Sequence, residues 1–194
     1  MQTRAVRVGH IGIAVRDLDR AQEFYTEVVG LRLTERFRYA EQVGHGGEMA
    51  IAAFLRSDAT HHCIVLFERR GAGTPVAGAE LGLHHLAFEM ATPEHLLDRY
   101  RECRRRGVTV VSARRGGPGN QPRFYARDPD GNLVEFYWGI DQIGWDGRPR
   151  AYVPIQEIDL ETFDFDAYVV EREAAAGVER EPRPQPPRPT EPSG

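Results

Sequence analysis

The feature that most constrains the fold of this chain is a repeat relating its two halves. Three pairs of residues mark matching points in the halves, namely a strand histidine, a helix cap and a helix end: His10 and His85, Asp17 and Thr92, and Gly30 and Gly107. The offset is 75 residues for the first two pairs and 77 for the third. An offset kept across a strand, a cap and a helix end indicates duplication of one supersecondary unit.

The first unit is predicted to run strand, helix, strand, strand, strand. Val8–Val15 alternates Ile11, Ile13 and Val15 with smaller residues and His10, which is typical of a strand with one packed face. Asp17 is expected to cap a helix that carries one apolar stripe and ends at Gly30. The three further strands are predicted at 31–39, 49–55 and 62–67.

The second unit repeats this order. Leu83–Met90 alternates as a strand, and Thr92-Pro93 supplies an N-cap followed by proline at the first helical position. Gly107 ends the helix. The remaining strands are predicted at 108–112, 123–127 and 133–138. Asp130-Gly131 predicts a two-residue turn before the last strand, because glycine tolerates a positive φ without steric cost. The chain is therefore expected to be an α+β protein with two tandem βαβββ modules.

These elements predict the domain organisation. One domain is expected over residues 1–150, followed by an irregular C-terminal strap with a short helix and then a tail. The predicted boundaries are about 6–70 for module one, 71–78 for the linker, about 83–139 for module two, 151–178 for the strap and 179–194 for the tail. The tail is rich in proline, arginine and glutamate and has no large apolar residue to bury, so it is expected to be disordered.

Composition excludes several classes of partner. A formal net charge of −4 over 194 residues implies neither nucleic acid nor an anionic membrane. No apolar run approaches the length of a membrane span, and the start lacks the apolar core of a signal peptide. We therefore expect a cytoplasmic protein. Cys63 and Cys103 are too few for a disulfide framework and are predicted to be buried free thiols.

Three residues on the predicted strands suggest a metal site: His10, His85 and Glu135. The two histidines are equivalent under the repeat, and the small residues Gly12 and Ala14 beside His10 would leave a hollow. A carboxylate in an apolar strand is costly unless positive charge meets it. Two imidazoles and one carboxylate are the ligand set of non-haem Fe(II) oxygenases, and they leave coordination positions open.

The motifs that carry these residues resemble those of the vicinal oxygen chelate superfamily. They are GHIGIAV, LHHLAFEM and DPDGNLVEFYW, and the resemblance covers the chain from about Val6 to Gly139. It implies two modules that form a curled mixed sheet around one metal ion. The positions that match the metal ligands of the superfamily are His10, His85 and Glu135.

Further motifs resemble the small, one-domain extradiol catechol dioxygenases of that superfamily. SDATHHCIVLF matches the strand that carries their acid–base histidine, at His62, and Tyr125 matches their substrate-binding tyrosine. WGIDQIGWDGRPR is similar to their C-terminal strap. The resemblance implies ring cleavage of a catechol by O₂ with Fe(II), and Mn(II) suits the same ligands. By the same analogy we expect a homo-oligomer.

One segment departs from the extradiol pattern. These enzymes usually have another histidine upstream of the tyrosine, where this chain has RRGGPGNQPRFY. Arg115 and Asn120 are candidate substrate-binding residues there, beside Arg114 and Gln121. This departure suggests a substrate other than a plain catechol, such as one that carries a carboxylate.

Two other functions are compatible with the same superfamily. A metal-dependent isomerase or epimerase, or a thiol transferase of the glyoxalase or fosfomycin-resistance type, would use the metal without consuming oxygen. Glyoxalase I needs a second metal carboxylate from the last strand of module one, and Glu68 at the end of that strand is a poor substitute. A drug-binding protein of the bleomycin-resistance kind would need no metal.

Overall fold

The computed structural model describes residues 8–38, 49–69, 83–143 and 151–175. Module one consists of β1 (Ile11–Val15), α1 (Leu18–Glu23), a π-helix (Phe24–Val28), β2 (Arg32–Arg38), β3 (Met49–Arg56) and β4 (Ile64–Arg69). Module two consists of β5 (Leu86–Glu89), α2 (Pro93–Arg105), β6 (Val110–Gly117), β7 (Arg123–Arg127) and β8 (Leu133–Tyr137). The C-terminal segment adds β9 (Val153–Glu157) and α3 (Phe165–Ala175). The predicted linker, 71–78, and tail, 179–194, lie outside the described residues.

The strand order confirms the duplication. Module one forms a sheet in the order β1-β4-β3-β2, and module two forms a sheet in the order β5-β8-β7-β6, which β9 extends. In both modules the first strand pairs in parallel with the last, and the other pairings are antiparallel. The chain is therefore an α+β protein of two βαβββ modules, with β1 and β5 each at an edge of its sheet.

Burial follows the predicted alternation in β1. Ile13 and Val15 are buried in the core, whereas Gly12 and Ala14 on the opposite face are exposed. The histidines differ from prediction, because β1, β4 and β5 begin after them. The ladder of module one starts at the Ile11–Ile64 pair, so His10 and His62 precede their strands, as does His85 in module two. Their side chains therefore lie at the strand starts.

The first helix is capped as predicted but does not continue as an α-helix. The Asp17 side chain accepts a hydrogen bond from the backbone N–H of Arg20 at 3.0 Å. From Phe24 the helix widens, and the N–H of Val29 donates to the carbonyl of Phe24, five residues earlier. The apolar stripe predicted for this helix is confirmed, because all of its members are buried: Ala21, Phe24, Tyr25, Val28 and Val29.

The β7–β8 hairpin has a three-residue loop, so the predicted two-residue turn is wrong. The Asp128 N–H donates to the Asn132 carbonyl, and the Gly131 N–H donates to the Asp128 carbonyl, both at 3.0 Å. Gly131 has a φ of +90°, whereas Asp130 is not among the positive-φ residues. Pro129 presets the first turn position, and a glycine in the left-handed region then completes a common hairpin loop.

The predicted ends of the second helix are confirmed, whereas the C-terminal segment contains one strand that was not predicted. The Thr92 hydroxyl accepts a hydrogen bond from the N–H of His95, and Gly107 follows α2 with a φ of +68°, which confirms both helix ends. The C-terminal strap contains the predicted short helix, α3, which is 11 residues long, and also β9, a strand that was not predicted and that pairs antiparallel with β6. No helix within the described ranges is both long enough and apolar enough to span a membrane.

A buried hydrogen bond links the two modules. The hydroxyl of Tyr25, which is completely buried, donates to Asp128 Oδ2 at 3.0 Å, and Asp128 also accepts from Asn132. Burial raises the pKa of Tyr25 well above its ordinary value, and the negative charge of Asp128 is the next largest cause. Tyr25 therefore stays protonated in the folded chain at a pH where an unfolded tyrosine ionises.

We expect Tyr25→Phe to lower the free energy of unfolding by about 1–3 kcal/mol near neutral pH, because it removes a hydrogen bond to a buried carboxylate. Above about pH 10 the unfolded wild type loses a proton that the folded form keeps, so its stability falls as the pH rises. The variant should show a shallower fall. Urea denaturation at both pH values measures this, with the exposed Tyr152→Phe as the matched control. Wild-type stability in Tyr25→Phe would contradict the assignment.

Candidate active site

The edges of the two sheets meet at a cavity of about 310 Å³. His10 and Ile11 line it from module one, and His85 and Phe88 line it from module two. Cys63, which was predicted to be buried, is half-buried and also lines the cavity, while Cys103 is buried as predicted. The two histidines related by the repeat therefore lie in one cavity.

Glu135 lies in the middle of β8, with Tyr125 opposite it on β7 and Ala87 opposite it on β5. Its side chain is buried, with the residue only 4% exposed. Oε2 of Glu135 lies 3.0 Å from Nε2 of His85. One imidazole and the carboxylate predicted to bind the same ion are therefore in direct contact.

Three other side chains surround the Glu135 carboxylate. Nε of Arg123 lies 3.9 Å from Oε1, and Nε2 of Gln121 donates to Oε1 at 3.5 Å. The Tyr125 hydroxyl also hydrogen-bonds to the carboxylate. Arg123 did not emerge from the sequence reasoning, although alternation along β7 puts it on the same face as Tyr125 and could have identified it.

Tyr125 remains a proton donor at neutral pH. Burial is the largest cause that raises its pKa, followed by the charge of Glu135 and the hydrogen bond to it. Arg123 acts in the opposite direction, because its Nε donates to the Tyr125 hydroxyl at 3.2 Å. Tyr125 can therefore donate a hydrogen bond to an oxygen in the site.

His10 contacts His62 in module one. Their ring centroids lie 4.6 Å apart, and Nδ1 of His62 lies 2.9 Å from Nδ1 of His61. Loss of hydration lowers the pKa of His62, and the neighbouring imidazoles lower it further, while Glu35 opposes them. His61 in turn pairs with Glu35 at 3.2 Å. The low pKa of His62 keeps it neutral and able to accept a proton.

The residues fit a divalent metal by their donor chemistry. His85 and Glu135 are in contact, and His10 adds a second imidazole in the cavity that His85 lines. In the part of the chain that the structure describes, no group of three or more His, Cys, Asp or Glu side chains is close enough to hold an ion. That the three predicted ligands bind one metal therefore stays a prediction.

The matching position in module one has no carboxylate. Ala87 pairs with Glu135 in module two, and the repeat-related Gly12 pairs with Val65 in module one. Val65 is a buried core residue. The duplicated fold thus supplies one carboxylate at this pair of equivalent positions.

Arg115 is engaged by the C-terminal segment. Its Nε donates to Oε1 of Gln156 at 2.8 Å, and its Nη1 donates to Oε2 of Glu171 on α3 at 2.7 Å. Arg115 lines a different cavity, next to α3. Its predicted role in substrate binding stays a prediction and would require exchange of these partners.

Asn120 anchors the same segment. It is 3% exposed and has a φ of +59°. Its amide donates to Asp141 and to the carbonyl of Ala151, and its Oδ1 accepts from the N–H of Val153 at 3.0 Å. The Asn120 carbonyl accepts from the Tyr168 hydroxyl at 2.8 Å. Its predicted role in substrate binding also stays a prediction, since these contacts occupy its side chain.

Comparison with known proteins gives the class of this fold and site. A sequence model of the Glyoxalase/Bleomycin resistance protein/Dioxygenase superfamily matches residues 7–136. The chain belongs to that superfamily. The expected superfamily membership is therefore confirmed.

Two sequence relatives and one solved structure show what this chain is similar to within the superfamily. Biphenyl-2,3-diol 1,2-dioxygenase 3 of Rhodococcus globerulus is 27% identical over 175 residues, which are 89% of this chain and 84% of the relative. Biphenyl-2,3-diol 1,2-dioxygenase 2 of the same organism is 25% identical, over 78% of this chain and 71% of the relative. A solved glyoxylase/bleomycin resistance protein/dioxygenase domain from Frankia sp. EAN1pec has a TM-score of 0.57 at 25% identity. The structural match covers 70% of this chain and 99% of the solved chain.

The contacts of Arg115 give a test of its role. We expect Arg115→Ala to lower the thermal midpoint by a few degrees, because it loses an ion pair with α3. Glu171→Gln is the matched variant, since it removes the same ion pair and keeps the arginine, and it should lower the midpoint similarly. Thermal melts of both variants measure this. A wild-type midpoint in Arg115→Ala would contradict the structural role of this ion pair.

Proposed function

We propose that this chain is an extradiol ring-cleavage dioxygenase that opens a catecholic substrate with Fe(II) and O₂. The observation that carries the proposal is the direct contact of His85 with the buried Glu135, beside a cavity that His85 shares with His10. The relatives named biphenyl-2,3-diol dioxygenases support the same chemistry. The partners that it requires are a catechol and O₂, and the homo-oligomer stays an expectation.

His10, His85 and Glu135 would hold the metal. Bound there, Fe(II) would acidify the catechol hydroxyls and provide open positions for the diol and O₂, and Mn(II) accepts the same ligands. Glu135 would contribute the negative charge, and the two neutral imidazoles would leave the site with a net positive charge. A diol that has lost a proton is therefore the expected form of the bound substrate.

His62 would be the proton acceptor for the diol. It touches His10, and its lowered pKa keeps the imidazole neutral near physiological pH. Once protonated, it would return the proton to the oxygen that the cleavage step leaves negatively charged. Tyr125 would orient the substrate oxygen by donating a hydrogen bond from its neutral hydroxyl.

One observation separates this proposal from the glyoxalase-type alternative. Glyoxalase I was expected to need a metal carboxylate from the last strand of module one, and the position there that matches Glu135 is Val65. An isomerase, epimerase or thiol transferase is therefore less well supported by the residues present. The metal-free drug-binding alternative gives no role to a buried carboxylate in contact with an imidazole.

Oxygen uptake after anaerobic reconstitution with Fe(II) tests the proposal. We expect uptake and a yellow ring-fission product with at least one member of a panel of substituted catechols that includes 2,3-dihydroxybiphenyl and carboxylated catechols. His10→Ala, His85→Ala and Glu135→Gln should each lower bound iron and reduce kcat/KM by at least about 100-fold, because each removes a ligand. His95→Ala, in the first turn of α2, is the matched control and should behave as wild type. Bound metal without uptake would favour the isomerase alternative, and no bound metal would favour the drug-binding one.

The role of His62 has its own signature. His62→Asn should lower kcat by about 10²- to 10⁴-fold while iron content stays at the wild-type level, because a proton acceptor is lost and the ligands remain. Since the pKa of His62 is lowered, the acid limb of the wild-type kcat/KM profile should fall below about pH 6.5. That limb should be absent in His62→Asn and present in the His95→Asn control. A wild-type pH profile in His62→Asn would contradict the assignment.

A further inference from the structure

We infer that Arg123 is a positioning residue of this site, which holds the Tyr125 hydroxyl and the Glu135 carboxylate in their working orientation. The inference rests on the proposed function and extends it to a residue behind the predicted ligands. Arg123 is only 6% exposed, although arginine is a residue that is rarely buried without partners. Its burial next to Glu135 therefore requires an explanation.

The guanidinium of Arg123 is fixed by backbone carbonyls. Nη1 donates to the carbonyl of Gly116 at 2.7 Å and to that of Gln121 at 3.0 Å. Two acceptors on one side of a planar group set the orientation of the whole guanidinium. The direction in which its Nε points is therefore determined by the backbone of the β6–β7 connection.

The fixed Nε of Arg123 lies next to the side chains of Tyr125 and Glu135. It donates to the Tyr125 hydroxyl at 3.2 Å and lies 3.9 Å from Oε1 of Glu135. With its oxygen accepting from Arg123, the hydroxyl of Tyr125 directs its own proton to the Glu135 carboxylate, so Arg123 orients both groups at once. The same positive charge offsets the buried carboxylate of Glu135.

The C-terminal segment braces the carbonyls that hold Arg123. Gly116 has a φ of +83°, and a Cβ there would lie 2.3 Å from the carbonyl oxygen of Pro154 on β9. β9 therefore packs directly against the residue whose carbonyl accepts from Arg123. At the other end of the connection, Asn120 is tied to the N–H of Val153 and to Tyr168. This bracing gives the C-terminal segment a function at the site.

The test compares Arg123→Met and Arg123→Lys with Arg127→Met, an exposed arginine on the same strand. Arg123→Met keeps an unbranched side chain without charge or donors, whereas Arg123→Lys keeps the charge and loses the planar group. Mn(II) affinity is measured by calorimetry, which needs no turnover, and kcat is measured with the catechol that the wild type uses. Each variant is also combined with Tyr125→Phe, and thermal midpoints report folding.

We expect Arg123→Met to weaken Mn(II) binding about 10- to 100-fold, as is typical when a partner of a metal ligand is removed. Arg123→Lys should keep Mn(II) affinity within about threefold and still lose at least about tenfold in kcat. Because Arg123 acts through Tyr125, Tyr125→Phe should lower kcat less in the Arg123→Lys background than in the wild type. The two losses in kcat should therefore not add. Arg127→Met should match the wild type in both measurements.

Three results would overturn the inference. One is wild-type Mn(II) affinity and kcat in Arg123→Met; another is additive loss from Arg123→Lys and Tyr125→Phe. If Arg123→Met does not fold, Arg123→Lys decides, and wild-type kcat in that variant would also overturn the inference. Failure of the proposed function has a different signature. Wild-type protein that binds Mn(II) and cleaves no catechol refutes the dioxygenase, while the Mn(II) affinities still decide the role of Arg123.

Discussion

A carboxylate buried within a β-sheet must be matched by positive charge, and Glu135 imposes that constraint on this structure. Loss of hydration would cost several kcal/mol if the charge were unmatched. Arg123 supplies that charge, with its Nε 3.9 Å from Oε1 of Glu135, and Nε2 of His85 contacts the other oxygen at 3.0 Å. The position of Glu135 in turn depends on the β7–β8 hairpin, which Tyr25 of module one holds through Asp128. The site thus depends on contacts that only the assembled modules provide.

Duplication explains how the fold creates one site from two similar halves. The repeat brings His10 and His85 to the edges of the two sheets, where both line one cavity. It does not bring two carboxylates, because Val65 occupies the position that Glu135 holds in module two. Symmetry therefore supplies the imidazoles, and a difference between the modules sets the charge of the site. That difference decides which chemistry of the superfamily the proposal favours.

Local patterns in the sequence predicted the repeat, the strand alternation and the helix caps, because each depends on residues close together in the chain. The cap at Thr92 and the alternation in β1 are examples. Features set by tertiary contacts were not predictable in this way. The widening of the first helix at Phe24–Val28 was not predicted, although its apolar stripe was, and β9 was not predicted because it forms by pairing with the distant strand β6. The sequence alone does not distinguish Arg123 from the other arginines, because its burial and its partners depend on tertiary contacts.

A single measurement tests the proposed metal centre most directly. Crystals of the protein loaded anaerobically with Fe(II), measured at the iron absorption edge, would locate the ion by anomalous scattering. We expect one strong peak about 2 Å from an imidazole nitrogen of His10, an imidazole nitrogen of His85 and a carboxylate oxygen of Glu135. A peak bound by other residues, or no peak in protein that remains folded, would contradict it.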